Sequence, residues 1–215
     1  DIVATNFSRT ISLRGDAGAL GVINGRVTMG TGDAAIFQSL GDANWKINST
    51  GNSWGQARIS QGTNGAGGFT LGATDALNPA EELQFDSDAL GSLDLAGFNQ
   101  TLRGVTSAGT VGFIGNSSTS SDSVLKINGQ NGMTFAGTLV DALGSGTKTL
   151  SVEILSGLQK FSGNNTYTGP TIVRDSGQLT IVSPGSLAAG SVVTVQSNAT
   201  LRGNGVINGP VTVQN

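Results

Sequence analysis

The interval from Val173 to Val195 equals that from Leu179 to Leu201, about 22 residues in each case and within the range of one solenoid coil. Around these residues run short alternating segments, Gln178-Leu179-Thr180-Ile181-Val182, Ser191-Val192-Val193-Thr194-Val195, Thr200-Leu201 and Pro210-Val211-Thr212-Val213, each bounded by Gly, Asn or Pro-Gly. Such runs are too short for helices, and an apolar residue at every second position turns one strand face inward. The pattern predicts an all-β chain wound as a β-solenoid of about 20–22 residues per coil. Leu179, Ile181, Val193, Val195 and Leu201 are then interior ladder residues.

Looser versions of the pattern continue upstream. Leu93/Leu95, Val111/Phe113, Leu125/Ile127, Met133/Phe135 and Val152/Ile154 are apolar pairs at i and i+2. Gly91, Gly97, Gly104, Gly109, Gly115, Gly129, Gly132 and Gly137 punctuate them where corners requiring positive φ are expected. Ile11/Leu13, Val22, Val27/Met29, Ile36, Trp45/Ile47 and Ile59 mark less regular strands near the N-terminus. Residues 1–50 are therefore expected to be solenoid coils or a cap, and 51–215 solenoid. The one helical signal is Ala76 to Leu83, where Pro79 followed by Glu81 and Glu82 suits a single turn.

Composition fits that reading. Gly supplies 34 of 215 residues, and charged residues only 12%, against roughly 7% and 25% in ordinary domains. Stacked coils place like residues in ladders where equal charges repel, so Thr, Val, Asn and Ser are favoured over Lys and Glu. A hydrophobic share of 37% with net charge −3 argues against disorder. With 11 Lys and Arg in all, the chain has no electrostatic footprint for nucleic acid. No apolar run reaches the roughly 18 residues of a membrane span. Residues 1–5 show no signal-peptide pattern, so the chain is expected to be mature or cut from a longer one.

Phe161-Ser-Gly-Asn-Asn-Thr-Tyr-Thr-Gly-Pro-Thr-Ile-Val173, followed by Gly177-Gln-Leu179, resembles the autotransporter-associated β-strand repeat. The specific likeness covers about residues 158–182. A looser one spans roughly 51–215, through Gly51-Asn-Ser-Trp54, Leu71-Gly-Ala-Thr-Asp-Ala-Leu77, Leu93-Asp-Leu-Ala-Gly-Phe-Asn-Gln-Thr-Leu102 and Gly203-Asn-Gly-Val-Ile-Asn-Gly-Pro-Val-Thr-Val213. The resemblance implies a right-handed parallel β-helix in an exported bacterial passenger, with the repeat assisting transport and folding outside the cell. It implies an extracellular or cell-surface location and contact with the outer-membrane translocation machinery during export. Neither a signal peptide nor a terminal membrane barrel is seen in the sequence, which leaves an autotransporter and a differently anchored surface protein as alternative routes.

Catalytic chemistry has few places to reside. His and Cys are absent, which removes Ser–His–Asp and Cys–His nucleophiles and His- or Cys-based zinc sites. Carboxylates remain. Asp86 and Asp88 are expected on one strand face with Glu81 and Glu82 nearby, and a pair held about 5 to 9 Å apart could cleave a glycosidic bond. The plainer reading is an acidic strand end. Asp175 beside Arg174 and Lys160 reads as a solvated corner. Arg14-Gly15-Asp16 spells an integrin-type tripeptide that chance also produces. The Asn-x-Ser/Thr triplets at Asn6, Asn48, Asn99, Asn116, Asn164 and Asn198 read as turn residues. Gly65-Ala-Gly-Gly68 lacks the acids of a calcium roll. Trp45, Trp54 and Tyr167 are expected to pack in the core or at an end, with stacking on sugar rings as the alternative.

No catalytic, cofactor-binding or metal residue is therefore assigned. The expected role is a non-enzymatic structural segment of an exported surface protein, a stalk or adhesive passenger that meets host surface, matrix or glycan. The alternative is polysaccharide binding or cleavage around Asp75 to Asp88. Asp1 and Asn215 read as cut points that leave unpaired strand edges, so end-to-end self-association is also expected.

Overall fold

The computed structural model describes residues 2–4, 10–16, 18–29, 36–60, 67–86, 90–129 and 132–214. Among them there is no helix, and every strand pairing is parallel. The strands stack as a β-solenoid of about eight turns.

Each turn passes through three faces. Face one runs through Thr10–Gly15, Ile36–Gly41, Gln56–Ser60, Glu82–Phe85 and Gly104–Ser107. It continues through Met133–Phe135, Leu158–Phe161, Gln178–Ile181 and Thr200–Gly203. Face two holds Leu20–Ile23, Asn44–Ile47, Gly68–Leu71, Ser92–Asp94, Phe113–Asn116 and Thr138–Ala142, then Ser186–Leu187 and Val206–Ile207. Face three begins with Ile2–Ala4 and Val27–Met29. It resumes as Gln100–Leu102, Ser123–Asn128, Leu150–Ser156, Thr171–Val173, Val193–Val195 and Val211–Val213. The strands of faces one and two from Thr10 to Ile47 belong to the same sheets as those that follow, while Val27–Met29 reaches the next coil by a single bridge from Thr28 to Ser53.

The spacings read in the sequence are true registers. Val173 pairs with Val195, and Leu179 with Leu201. Nearer the N-terminus the coil length alternates. A long coil separates Ile11 from its partner Phe37, a shorter one Phe37 from Ala57, and a long one again Ala57 from Leu83. Inward positions form one continuous core that includes Phe37, Ile59, Leu83, Phe85, Leu125, Ile127, Phe135, Val152, Ile154, Leu179, Ile181, Val193 and Val195. Leu201, in the last coil, is only half-covered.

One strand has the opposite phase from the expected Val111/Phe113 pair, and two strands read without a phase turn their second apolar residue inward. Phe113 is 40% exposed and Ile114 points in; Val22 is 49% exposed and Ile23 points in; Ile36 faces outward while Phe37 is buried. At 76–81 turns and bends replace the expected helical turn, and Glu82 and Leu83 begin a strand. Asn78 Oδ1 accepts from the Ala80 N–H, and its amide donates to the Trp54 carbonyl, which fixes a non-helical corner and drops Leu77 into the core.

Most glycines also do a different job from the one expected. Gly97 has φ 86°, whereas Gly91, Gly104, Gly115, Gly129, Gly132 and Gly137 are not left-handed. Several stack in a column at the corner between faces one and two: Gly67, Gly91, Gly112, Gly137, Gly163, Gly185 and Gly205. The carbonyls of Gly67, Gly91, Gly112, Gly163 and Gly185 each accept from the residue just past the next glycine, at 3.0 to 3.1 Å. A Cβ on Gly163 would overlap the Gly137 carbonyl oxygen, and one on Gly91 the Gly67 oxygen. The column exists because successive backbones touch there.

Candidate functional site

The densest polar cluster lies on the outer side of face one. Gln56 is in register with Glu82, and Arg58 with Gln84. The Gln56 amide donates to Glu82 and, at 3.0 Å, to Gln84 Oε1, while Arg58 Nη2 donates to Gln56 Oε1 at 2.9 Å. Gln84 donates to Asp86 Oδ1 at 3.2 Å, the Ser60 hydroxyl donates to Asp86 Oδ2, and Arg58 Nε lies 3.7 Å from Asp86 Oδ1. One coil on, Arg103 Nη2 approaches Glu81 Oε2 at 3.4 Å. Alternation puts these side chains on the outside, and one of the long coils brings the two strands together.

Thus Glu82 and Asp86 share one surface, but each already faces donors from its own sheet. Asp88 lies outside the described residues, so the Asp86–Asp88 pair is not placed. The arrangement is a flat, mutually bonded lattice of amides, carboxylates and a guanidinium. Chemically it can exchange its hydrogen bonds for those of a polar ligand.

The remaining sequence candidates are scattered. Arg174 Nη1 meets Asp175 at 2.8 Å and its Nη2 meets Glu153 at 3.1 Å, while Lys160 sits on face one between Thr134 and Thr180. The expected solvated corner is thus an exposed Arg174–Asp175 ion pair, with Asp175 left-handed at φ 57° and Lys160 on another face. Arg14 and Asp16 are exposed, with Gly15 held in a strand opposite Gly41. Gly65 lies outside the described residues; Gly67 and Gly68 crowd the backbones of Gly41 and Ser92. Trp54 and Tyr167 are buried, and Trp45 leans over Gly21 against the core. Neither Trp54 nor Tyr167 offers a ring to a sugar. Of the Asn-x-Ser/Thr triplets, Asn6 is outside the described residues. Asn48 donates to Asn24, Asn99 receives the Val124 N–H, and Asn116 receives those of Gly97 and Ser118. Asn164 receives the Ser186 hydroxyl, and Asn198 is a left-handed corner.

What sequence reasoning missed is a set of buried amides that bind coils together. Asn165 Oδ1 accepts from the Leu139 N–H at 3.0 Å, one coil back, and its Nδ2 donates to the carbonyls of Gly163 and Ser186, the latter one coil forward. Asn52 does the same with the Val27 N–H, the Ser49 carbonyl and the Ala76 carbonyl. Just beyond each Asn, with one residue between, comes a buried ring, Trp54 or Tyr167. The recurring Asn-x-aromatic spelling, Asn52-Ser-Trp54 and Asn165-Thr-Tyr167, is the signal that would have revealed them. Gln159 spans three coils likewise: it accepts from the Val105 N–H and donates to the carbonyls of Val105 and Met133.

Within the Asn-Thr-Tyr-Thr-Gly string several residues have a clear task. The Tyr167 hydroxyl pairs with Thr171 Oγ1 at 2.6 Å, and Thr171 with the Ser191 hydroxyl at 2.8 Å. Burial pushes the phenol up to about 12, against the opposing pull of its hydroxyl partners. Asp141 accepts from the Thr168 N–H and hydroxyl and from the Leu150 N–H, closing the adjacent corner. No group of three or more Asp or Glu side chains among the described residues is arranged to hold a metal ion. No family model, no curated protein and no solved structure matches this chain.

Proposed function

We propose that this chain is a non-enzymatic structural segment of an exported bacterial surface protein, a rigid stalk or passenger whose repeat assists vectorial export and folding. The observation that carries the reading is the repeated parallel pairing of one coil on the next, with Asn52, Asn165 and Gln159 each tying three successive coils. A fold whose contacts join coils close along the axis, such as Gln159 with Met133 and Val105 before it, can form progressively as a chain emerges from a translocation pore. The likeness of residues 158–182 to the autotransporter-associated repeat supports the same reading. The test is secretion of the chain through a fused outer-membrane barrel. Asn165→Ala and Tyr167→Ala should lower the protease-resistant protein that reaches the cell surface at equal expression. Unchanged surface yield in both variants would refute the export role.

The lattice of Gln56, Arg58, Glu82, Gln84 and Asp86 favours a second reading, polysaccharide binding along face one, since planar polar groups suit sugar hydroxyls. A glycan array and reducing-sugar assays test it. Binding or turnover lost in Glu82→Gln or Asp86→Asn would replace the stalk with a glycan-directed role.

A further inference from the structure

Across the coils from Ile36 to Ser107 the outer side of face one is a set of aligned polar columns. Gln38 is in register with Arg58, Arg58 with Gln84, and Gln84 with Thr106. All four are partly exposed. They set amide, guanidinium and hydroxyl groups in a straight file, repeated at the strand spacing of about 4.8 Å. Gln38 and Thr106, at the two ends of the file, make no side-chain hydrogen bond to another described residue. Beside the file Gln56 is in register with Glu82, and Gly104 follows Glu82 with no side chain to cover it. The charges on this strip are nearly balanced. Arg58 lies against Asp86 and Arg103 against Glu81, while Glu82 receives the Gln56 amide. Three carboxylates thus stand against two guanidinium groups, so the strip repels an anionic polymer.

We propose that this strip binds a neutral, extended polysaccharide that runs along the solenoid axis, one sugar ring to each coil, and leaves it uncleaved; the inference rests on the reading of face one as a glycan-binding surface. A straight file of polar groups at equal spacing suits a straight polymer of equal units, and an extended β-linked hexose chain repeats at close to the coil spacing. Planar amides and a guanidinium donate to and accept from ring hydroxyls, and their charges are already met within the sheet. Cleavage lacks its geometry. Four residues of extended strand put the backbones of Glu82 and Asp86 about 13 Å apart, with Gln84 between them. The carboxyl pairs of glycosidases stand roughly 5 to 9.5 Å apart.

Calorimetric titration of the full chain tests it, with cello- and manno-oligosaccharides of increasing length as neutral probes and oligogalacturonates as anionic ones. Neutral probes should bind, with affinity rising up to about four rings, one for each coil of the file. Oligogalacturonates should bind more weakly, and no reducing ends should be released. Gln38→Ala and Gln84→Ala should each weaken neutral binding about tenfold by removing a hydrogen bond to the ligand. Gln38 belongs to no bonded cluster, so its variant should keep the parent melting transition. Thr180→Ala, on face one but beyond the strip, should leave binding unchanged. Preference for oligogalacturonates, or release of reducing ends, would overturn the neutral, uncleaved ligand and leave glycan binding on face one standing. Neutral binding untouched by both glutamine variants, or no binding of any probe, would remove that reading as well.

Discussion

The coils before residue 86 and those after 158 reach the same architecture by different packing. In the first group the core is a pile of rings: Phe37 stacks on Trp54 with centroids 4.4 Å apart and on Phe69 at 5.4 Å. Coil length there swings between the short step from Phe37 to Ala57 and the long one from Ala57 to Leu83. In the second group Leu179 lies under Leu201 and Val173 under Val195, and Tyr167 is the only aromatic plug besides Phe161. Ring stacks fill space across unequal coils, and each offset pair adds about 0.5–1.5 kcal/mol beyond its burial. The aliphatic ladders hold their register across coils that also vary in length, as from Val152 to Thr171, Thr171 to Val193 and Val193 to Val211. Regular sequence and regular structure are therefore separable: the N-terminal coils lack the first and keep the second.

Substitutions can break that comparison, beginning with the largest effect. Leu179→Asp places an unpaired carboxylate in the aliphatic ladder and should abolish cooperative folding, whereas Leu201→Asp, in the half-covered last coil, should leave a clear melting transition. Equal loss in both would show that the ladder has no interior. Next comes Phe37→Ala, expected to cost about 3–5 kcal/mol in chemical denaturation by emptying the centre of the ring stack. A loss within experimental error of zero would mean that the rings are not the N-terminal core. Asn52→Ala and Asn165→Ala should each cost about 1–3 kcal/mol, by leaving a buried N–H and buried carbonyls without partners. Similar losses in both variants would show one device serving two kinds of core; a loss confined to Asn165 would limit it to the repeat.

The smallest effect is set by pH and belongs to the C-terminal region alone. Tyr167 is the single tyrosine, and its phenol ionises at about 12 in the fold against about 10 when exposed. The raised value means that the folded state holds its proton longer. Stability is thus full below about pH 10, declines from about 10 to 12, and levels off above. Ultraviolet difference absorbance should show tyrosinate appearing late in the folded chain. Tyr167→Phe should remove this alkaline loss while costing about 1 kcal/mol at neutral pH from the orphaned Thr171 hydroxyl. A free-tyrosine titration curve in the native protein would contradict the burial.

The coil and its inward ladder were legible wherever one apolar residue alternated with polar ones, as at Leu125/Ile127 or Leu179/Ile181. The strands whose phase was misread or left unread are those where two apolar residues adjoin: Val22-Ile23, Ile36-Phe37 and Phe113-Ile114. Period two cannot choose between adjacent apolar neighbours, and only the register of the coils above and below decides. The face-one cluster was half visible. Glu82 and Asp86 stood out as acids, but their partners Gln56, Arg58 and Ser60 lie one long coil upstream, farther than the interval from Leu179 to Leu201 suggests. The buried Asn clamps were hidden by abundance, since Asn at a corner and Asn bridging three coils are spelled alike. The glycine column was hidden in the same way.

That column has a consequence for how the rod can be altered. The step from Gly185 to Gly205 is several residues shorter than the step from Gly112 to Gly137, yet at both the carbonyl of the first glycine accepts from the residue just past the second at 3.0 Å. Length variation is taken up elsewhere on the circumference, where a loop of extra residues costs only slowly growing closure entropy. The corner between faces one and two is thus a fixed spine against which the outer loops can be lengthened, shortened or exchanged. Foreign segments grafted into those loops should be displayed at one height along the axis without disturbing the turns above and below.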